Sequence, residues 1–566
     1  MLIIIFLIVV KLHCNNALAQ TPPEPASGKQ EQQEVKSQEY MVVTAHILAS
    51  KAAENIIAKG GHAIDAAIAA QMVLNVVEPQ SSGIGGGGFL LYYDKSQNKV
   101  ISYDGRETAP ANVRPNMFLD NNGEAISFMQ AVRSGKAVGT PGLLAMLDMA
   151  HKEHGNLNWQ ILFDPAINVA KHGFLVSSRL NKSIKYAKNT NNMSEEFKKL
   201  YLNKNGKSKA IGSLLTNPEF SKILLAISEN GAKYFYNSQI AADIASEVQK
   251  HGGYLSKQDF MNYRAKKREA VCAHYRSYKI CGMGLPSSGG ITTLQTLGIL
   301  ESFNLNSYRP ENIHLILEAQ KLAYADRNQY LADSDFVQTP KIKNLLNKDY
   351  LKKRANLISK KYTIKTPVKA GLLNINYGKD KSYDAPSTTH ISIVDKEGNA
   401  ASLTSSVEHS FGSGIIVNGF VLNNQLTDFS FYPQEDEKAV ANAVAPNKRP
   451  RSSMSPTIIF DQKGDLYNVL GSPGGSSIIA YVIKSIIGLI DWNMPLKQIV
   501  DLPHFMNKNS QTELEPGQSK LSDKLTVYGH KAIEKEKTSG INAILIKDNI
   551  LIGYSDPRRE GFAIGR

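Results

Sequence analysis

Thr388 and Ser406 carry the placement in this 566-residue chain that comes closest to chemistry. The run His390–Val394, the loop Asp395-Lys396-Glu397-Gly398-Asn399 and the run Ala400–Ser406 predict a hairpin of two antiparallel strands. A loop symmetric about Glu397 sets Val394 against Ala400, Ile391 against Leu403 and Thr388 against Ser406, so two hydroxyls meet across the sheet. A threonine hydroxyl becomes a nucleophile when a base takes its proton. Taken alone, the pair reads as an ordinary threonine–serine contact.

A second feature follows in Gly471-Ser472-Pro473-Gly474-Gly475. It leaves a predicted strand, Leu466–Leu470, and enters an apolar helix from about Ser476 to Leu489, so its amides point where a helix dipole also stabilises an anion. An oxyanion hole and a plain strand-to-helix turn both fit. The glycines of Ser82–Gly88 differ, because they lack the Gly-Lys-Ser/Thr ending of a phosphate loop and precede a strand; they predict a tight turn or close backbone packing. No histidine pair has HExxH or zinc-ribbon spacing, so a metal has little support and no cofactor is expected; the chain also lacks the Gly-x-Ser-x-Gly elbow of a serine nucleophile.

The elements that must position these residues fall in blocks. Helical spacing runs from His46 to Lys59, with Gly60-Gly61 as a cap, and again from about Ala63 to the stop at Pro79. Pro310 opens a further helix over Glu311–Asp333 with Leu315, Leu322 and Tyr330 on its apolar stripe. Strands are expected at Phe89–Asp94, at Val100–Asp104, in a hairpin over 270–282 and repeatedly after residue 388. Separate blocks of helices and strands, without regular βαβ alternation, predict an α+β fold of helices layered on sheets. No repeat of 20 to 50 residues is present.

Hydrophobic residues at 42% and charged residues at 20% exclude a disordered polymer and a polytopic membrane protein. The net charge of +14 is scattered, with no basic run interleaved with aromatics, so no nucleic-acid partner is expected. Residues 2–10 form an apolar block too short to span a bilayer comfortably, and Ala17-Leu18-Ala19 follows as a cleavage pattern. Residues 1–19 therefore predict an export signal, with an uncleaved anchor as the other possibility, and a periplasmic or secreted destination. Residues 20–38, rich in Pro, Gln, Glu, Lys and Ser, predict a disordered leader, with the folded body starting near Glu39.

Removing the signal leaves two cysteines. Strands Val271–Tyr275 and Tyr278–Met283, joined by Arg276-Ser277, set Cys272 directly opposite Cys281, within disulfide reach. A bridge and a pair of buried thiols both remain open, since a short enclosed loop stabilises least.

Several motifs, spread in order over about residues 40–566, resemble the gamma-glutamyltransferases, or glutathione hydrolases, of the N-terminal-nucleophile superfamily. They are Asp104-Gly105-Arg106-Glu107-Thr108-Ala109-Pro110, the segment Glu318–Asp333, Thr388-Thr389-His390, Asn423-Asn424-Gln425-Leu426-Thr427-Asp428-Phe429, the run Asn447–Pro456 and the Gly471–Gly475 loop. The resemblance implies a four-layer αββα sandwich, made as one precursor that cuts itself between Ser387 and Thr388. A large subunit, folded over 39–387, and a small one, 388–566, would stay together as a heterodimer.

It also implies attack of Thr388 on the γ-glutamyl amide of glutathione or a related compound, with water or an amino acid or peptide as acceptor. Gly474 and Gly475 match the family's oxyanion glycines, and Ser406 the hydroxyl facing the nucleophile. By the same resemblance Arg106, Ser452 and Ser453 should meet the donor's α-carboxylate, and Glu408, Gln425 and Asp428 its α-ammonium. Many members carry Asn where this chain has Glu408 and Thr where it has Ser406; both changes keep the chemistry. The connection Phe429–Pro446 is intermediate between lidded and lidless members, and its acidic stretch 434–437 reads as solvated loop. Three alternatives stay open: a glutaryl β-lactam acylase, a poly-γ-glutamate enzyme, and a processed but inactive binding protein, against which the retention of Thr388 and the glycine pair argues.

Overall fold

The computed structural model describes residues 29–189, 193–382 and 387–566. The expected signal, 1–19, and the leader up to residue 28 lie outside the described residues.

Two seven-stranded antiparallel sheets lie face to face. One runs, edge to edge, Phe562–Gly565, Met41–Thr44, Thr389–Val394, Ala400–Ser406, Gly87–Asp94, Lys99–Gly105 and Lys266–Glu269. The other runs Val35–Ser37, Ile550–Ser555, Asn542–Lys547, Leu466–Gly471, Thr457–Phe460, Tyr278–Gly282 and Val271–Tyr275. Side-chain alternation divides the core as a strand's period of two requires. Leu90, Tyr92, Ile391, Ile393 and Leu403 pack against the outer helices Ile47–Ala58 and Ala63–Val77. Phe89, Leu91 and Tyr93 point the other way, into a core shared with Ile458, Val469 and the helices Gly289–Leu300, Pro310–Tyr330 and Ser477–Ile490. The order is helices, sheet, sheet, helices, the four-layer αββα sandwich.

The hairpin pairs Ile391 with Leu403 and Val394 with Ala400, in the register a loop symmetric about Glu397 implies. Asp395 fastens that loop, its carboxylate accepting from the backbone N–H of Glu397 and Asn399 at 3.1 and 2.8 Å. Between the sheets this hairpin is polar. Ser392 Oγ donates to the Asn542 carbonyl at 2.9 Å, Ser402 Oγ to that of Leu470 at 3.1 Å, and His390 Nδ1 meets Thr404 Oγ1 at 2.8 Å. The glycine run packs backbone on backbone: a Cβ on Gly86 would lie 2.2 Å from the Ser406 carbonyl oxygen.

Two boundaries differ from the sequence expectation. The leader is not wholly without structure, because Val35–Ser37 pairs with Leu551–Gly553. The open edge of Ile550–Ser555 offers unpaired backbone groups, and satisfying them outweighs the polar composition of the leader. The helix expected to reach Asp333 stops at Tyr330, where Leu331 turns extended. Asp333 instead accepts from the Arg449 backbone N–H at 2.9 Å, which ties the helix end to the segment carrying Ser452 and Ser453. Among the described residues no helix is long and apolar enough to cross a membrane.

Candidate active site

Thr388 stands one residue before its strand, whose ladder begins with Thr389 opposite Ser405. Its Oγ1 donates to Ser406 Oγ at 3.3 Å. The Ser406 hydroxyl also accepts from the Glu408 backbone N–H at 2.9 Å and donates to the Ser387 carbonyl oxygen at 2.6 Å. One fully engaged hydroxyl thus touches the nucleophile and the carbonyl preceding it. Ser387 itself is buried, its Oγ donating to the Gln80 carbonyl. Arg559 Nη1 donates to the carbonyl of Thr388 at 2.9 Å.

Thr388 and Ser406 open on a cavity of about 260 Å³. Of the residues singled out from sequence, Arg106, Glu408, Gln425, Asp428, Ser452, Ser453 and Gly475 line it too. Gly474 and Ser387 lie beside it in the chain without lining it. Cys272 and Cys281 are cross-strand partners in the hairpin of the second sheet, joined as a disulfide with Cα atoms 4.1 Å apart, and do not line the cavity.

The glycine loop turns sharply, with φ of +136° at Gly474 and +58° at Gly475, a region that disfavours residues with a Cβ. The helix Ser477–Ile490 starts immediately after, so its positive end faces the cavity. Among the described residues neither glycine N–H has a hydrogen-bond partner. Tyr324 secures the loop by donating its hydroxyl to the Ser476 carbonyl at 2.6 Å.

The charged side chains are arranged differently from the expected division into a carboxylate end and an ammonium end. Arg106 and Asp428 pair with each other, Nη2 to Oδ2 at 2.5 Å, and Gln425 Nε2 donates to the same Asp428 oxygen at 2.8 Å. Arg106 further donates from Nε to the Pro450 carbonyl and from Nη2 to that of Arg451, both at 3.0 Å, which fixes its plane in the wall. Glu107, fully buried 3.7 Å from Arg106, is pushed up to about 8 by burial, against the pull of that guanidinium. Glu408 has a positive φ of 79°, and its carboxylate accepts from Asn424 Nδ2.

Arg327 was not singled out from sequence, although it sits inside the segment Glu318–Asp333. It lines the cavity and donates from Nη2 to Ser453 Oγ at 2.6 Å and from Nε to Ser288 Oγ at 2.9 Å. Its signal was an arginine on an otherwise buried helix, where a charge must have partners. Ser452 Oγ accepts from the Met454 N–H at 3.1 Å. The segment 429–446 carries a short hairpin with an exposed tip, Gln434–Glu435 pairing with Lys438–Ala439, and none of its residues lines the cavity. Asn442 holds its base by donating to the Asp428 carbonyl at 2.8 Å, and Lys448, its ammonium pushed down to about 8 by burial, donates to the carbonyls of Ala441 and Ala443.

One cluster of metal-ligand residue types escaped the sequence patterns. His314, Glu318 and His530 come together away from the cavity lining, His314 Nδ1 lying 2.8 Å from His530 Nε2. The Lys321 ammonium, 2.6 Å from Glu318 Oε1, already serves as the cation there, and burial holds both imidazoles toward their neutral forms.

Residues 49–566 match the family model described as gamma-glutamyltranspeptidase. The chain is 38% identical to a glutathione hydrolase proenzyme of Bacillus subtilis over 97% of its own length and 95% of the relative's. Among solved structures it resembles the cephalosporin acylase of Bacillus halodurans, with a TM-score of 0.84 and 25% identity over 97% of this chain and 98% of that one. The Helicobacter pylori gamma-glutamyltranspeptidase is 35% identical, with a TM-score of 0.56, covering 59% of this chain and 96% of that one. A family model spanning nearly the whole chain, on a sandwich that brings Thr388 to the wall of a charged cavity, leaves one assignment: the chain belongs to the gamma-glutamyltranspeptidase family.

Proposed function

We infer that this chain is a self-cleaving γ-glutamyl hydrolase and transpeptidase acting on glutathione and related γ-glutamyl compounds. The observation that carries the reading is the contact of Ser406 Oγ with both Thr388 Oγ1 and the Ser387 carbonyl oxygen. In the continuous chain the Thr388 hydroxyl attacks the Ser387 carbonyl, whose developing negative charge the Ser406 O–H stabilises. The C–N bond breaks, the acyl group moves to Oγ1, and water hydrolyses the ester, leaving a Ser387 carboxylate and a free Thr388 α-amine. That amine titrates near 8 in ordinary peptides, close enough to neutral pH to take the proton from its own hydroxyl.

The freed Thr388 then attacks a γ-glutamyl amide. Gly474 and Gly475 donate to the oxyanion, the amine leaves with the proton, and a glutamyl ester remains until water or an acceptor amine takes the acyl group. Arg106, with Ser452 and Ser453, receives the α-carboxylate; Asp428, Gln425 and Glu408 receive the α-ammonium. For this to happen the ligand's two charges replace the contact between Arg106 and Asp428. The cavity is small for a ligand pocket and suits one amino-acid moiety. Cleavage would give a large subunit ending at Ser387 and a small one starting at Thr388. The apolar N-terminus with its cleavage pattern and the Cys272–Cys281 disulfide support export to the periplasm or medium.

A glutaryl acylase is the second reading, favoured by the likeness to the cephalosporin acylase over nearly the whole chain. The two carboxylates lining the cavity, Glu408 and Asp428, weigh against it, because a glutaryl group brings no cation for them. Release of a chromogenic anilide from its γ-glutamyl derivative, with and without glycylglycine, tests the inference: turnover that rises with the acceptor is expected, and none from the cut enzyme overturns it.

A further inference from the structure

We propose that Arg559 is a positioning residue for the nucleophile, holding Thr388 in place once self-cleavage has made it a chain end; this rests on the reading of Thr388 given above. The need is set by topology. The strand ladder begins at Thr389, so cutting the bond to Ser387 leaves Thr388 as a terminal residue outside the sheet, and chain ends fray unless tied down. A nucleophile that also supplies its own base tolerates little of this, since both its amine and its hydroxyl must be aimed.

Arg559 answers that need through the one backbone acceptor Thr388 possesses. Its Nη1 donates to the Thr388 carbonyl at 2.9 Å, while Nε and Nη2 both donate to the Thr538 carbonyl, at 3.0 and 2.9 Å, which locks the guanidinium plane. The side chain is fully buried, so this charge-assisted bond has no competing water. The next residue is held as well. Thr389 Oγ1 donates to Glu78 Oε2 at 2.9 Å, and the other oxygen of that carboxylate accepts from Arg179. Glu78 also acts on Arg559 electrostatically, ahead of Asp556. None of Glu78, Arg179 and Arg559 lines the cavity, so the clamp acts on the nucleophile's backbone alone.

The test compares cut wild type with Arg559→Met and Arg559→Lys. Misplacing a reacting group by about an ångström costs on the order of 100-fold, so kcat for the γ-glutamyl anilide should fall by about 10- to 100-fold in Arg559→Met while KM stays within about twofold. Arg559→Lys, which keeps a donor and the charge, should recover most of the loss. A rise in KM with unchanged kcat, or equal losses in both variants, would overturn the proposal. A second readout needs no γ-glutamyl substrate: the rate at which a small acylating reagent modifies the Thr388 α-amine, followed by mass spectrometry of the small subunit. The amine should react several-fold faster in Arg559→Met, and equal rates overturn the clamp. Wild type inert toward the anilide would instead overturn only the functional reading. If Arg559→Met stays uncut, a wild-type melting temperature together with a cut Arg559→Lys supports the clamp, and a lowered melting temperature overturns it.

Discussion

Ser406 Oγ lies 2.6 Å from the carbonyl oxygen of Ser387, the group that Thr388 must attack for the chain to cut itself. Among the described residues its proton is the one donor to that oxygen, where negative charge would develop. Ser406→Ala should therefore slow self-cleavage by about 100- to 1000-fold, the usual loss for one oxyanion donor, while Ser406→Thr stays close to wild type. The fraction of uncut chain against time on a denaturing gel measures this. Cleavage of Ser406→Ala at the wild-type rate would show that the contact is structural.

Thr388→Ala should accumulate as one full-length chain without turnover, whereas wild type gives two bands, the smaller with Thr388 at its N-terminus. Thr388→Ser should still cut, because the attacking group is a hydroxyl in both. N-terminal sequencing of the small band checks the position, and a cut Thr388→Ala would remove Thr388 from the role.

What could be read in the sequence follows range of interaction. The hairpin register was legible because its loop is symmetric and a strand has a period of two, so one anchor fixes every pair down to Val394 and Ala400. The Gly471–Gly475 loop was legible as a strand-to-helix junction. The contact between Arg106 and Asp428 was not, since 322 residues separate them and only the packed sandwich decides whether two charges meet each other or a ligand. Arg327, Arg559 and Glu78 escaped for the same reason: their partners come from other layers. Local composition also misled at Val35–Ser37, where a distant strand edge supplied the hydrogen bonds.

The disulfide gives a chemical prediction. Exported protein, unreduced, should have no alkylatable thiol at Cys272 or Cys281 and should weigh two hydrogens less than the reduced form. Replacing both by Ser should cost at most about 3 kcal/mol, because a loop this short removes little entropy from the unfolded chain. Two alkylated cysteines in the native protein would contradict the bridge.

Lys484 makes stability depend on pH. It is buried in the apolar helix Ser477–Ile490, donates to the Leu502 carbonyl at 2.6 Å, and is pushed down to about 7 by burial, with Arg558 adding to the shift. An unfolded lysine titrates near 10.4, so between about pH 7 and about pH 10 the unfolded chain holds a proton that the folded chain has released. Stability from this group therefore rises with pH across that window, and the full penalty stands below it. Lys484→Met should stabilise the protein on the order of 1–4 kcal/mol near pH 6, with the gain shrinking toward pH 10. The Leu502 carbonyl keeps its bond from Arg558. Denaturant melts of uncut Thr388→Ala, with and without Lys484→Met, measure the slope; a gain independent of pH would assign it to packing alone.

On the proposed function donor specificity should turn on Asp428, which in this structure is engaged by both Arg106 and Gln425. If a γ-glutamyl donor binds as proposed, it offers a cation to Asp428 and Glu408 as its carboxylate takes over Arg106, so both sides of the broken ion pair are compensated. A glutaryl donor compensates neither carboxylate, and an unpaired charge in a closed site is costly. Losing one charge-assisted partner costs about 1.5–3 kcal/mol, so the γ-glutamyl anilide should exceed the glutaryl anilide in kcat/KM by at least about tenfold. Asp428→Ala should lower kcat/KM for the γ-glutamyl donor and leave self-cleavage intact, because none of the hydrogen bonds among Ser387, Thr388 and Ser406 involves it. Asp428→Asn separates charge from shape: it should lose most of the γ-glutamyl preference while still bonding Gln425. Equal kcat/KM for the two anilides in wild type would instead make the acylase reading the better one.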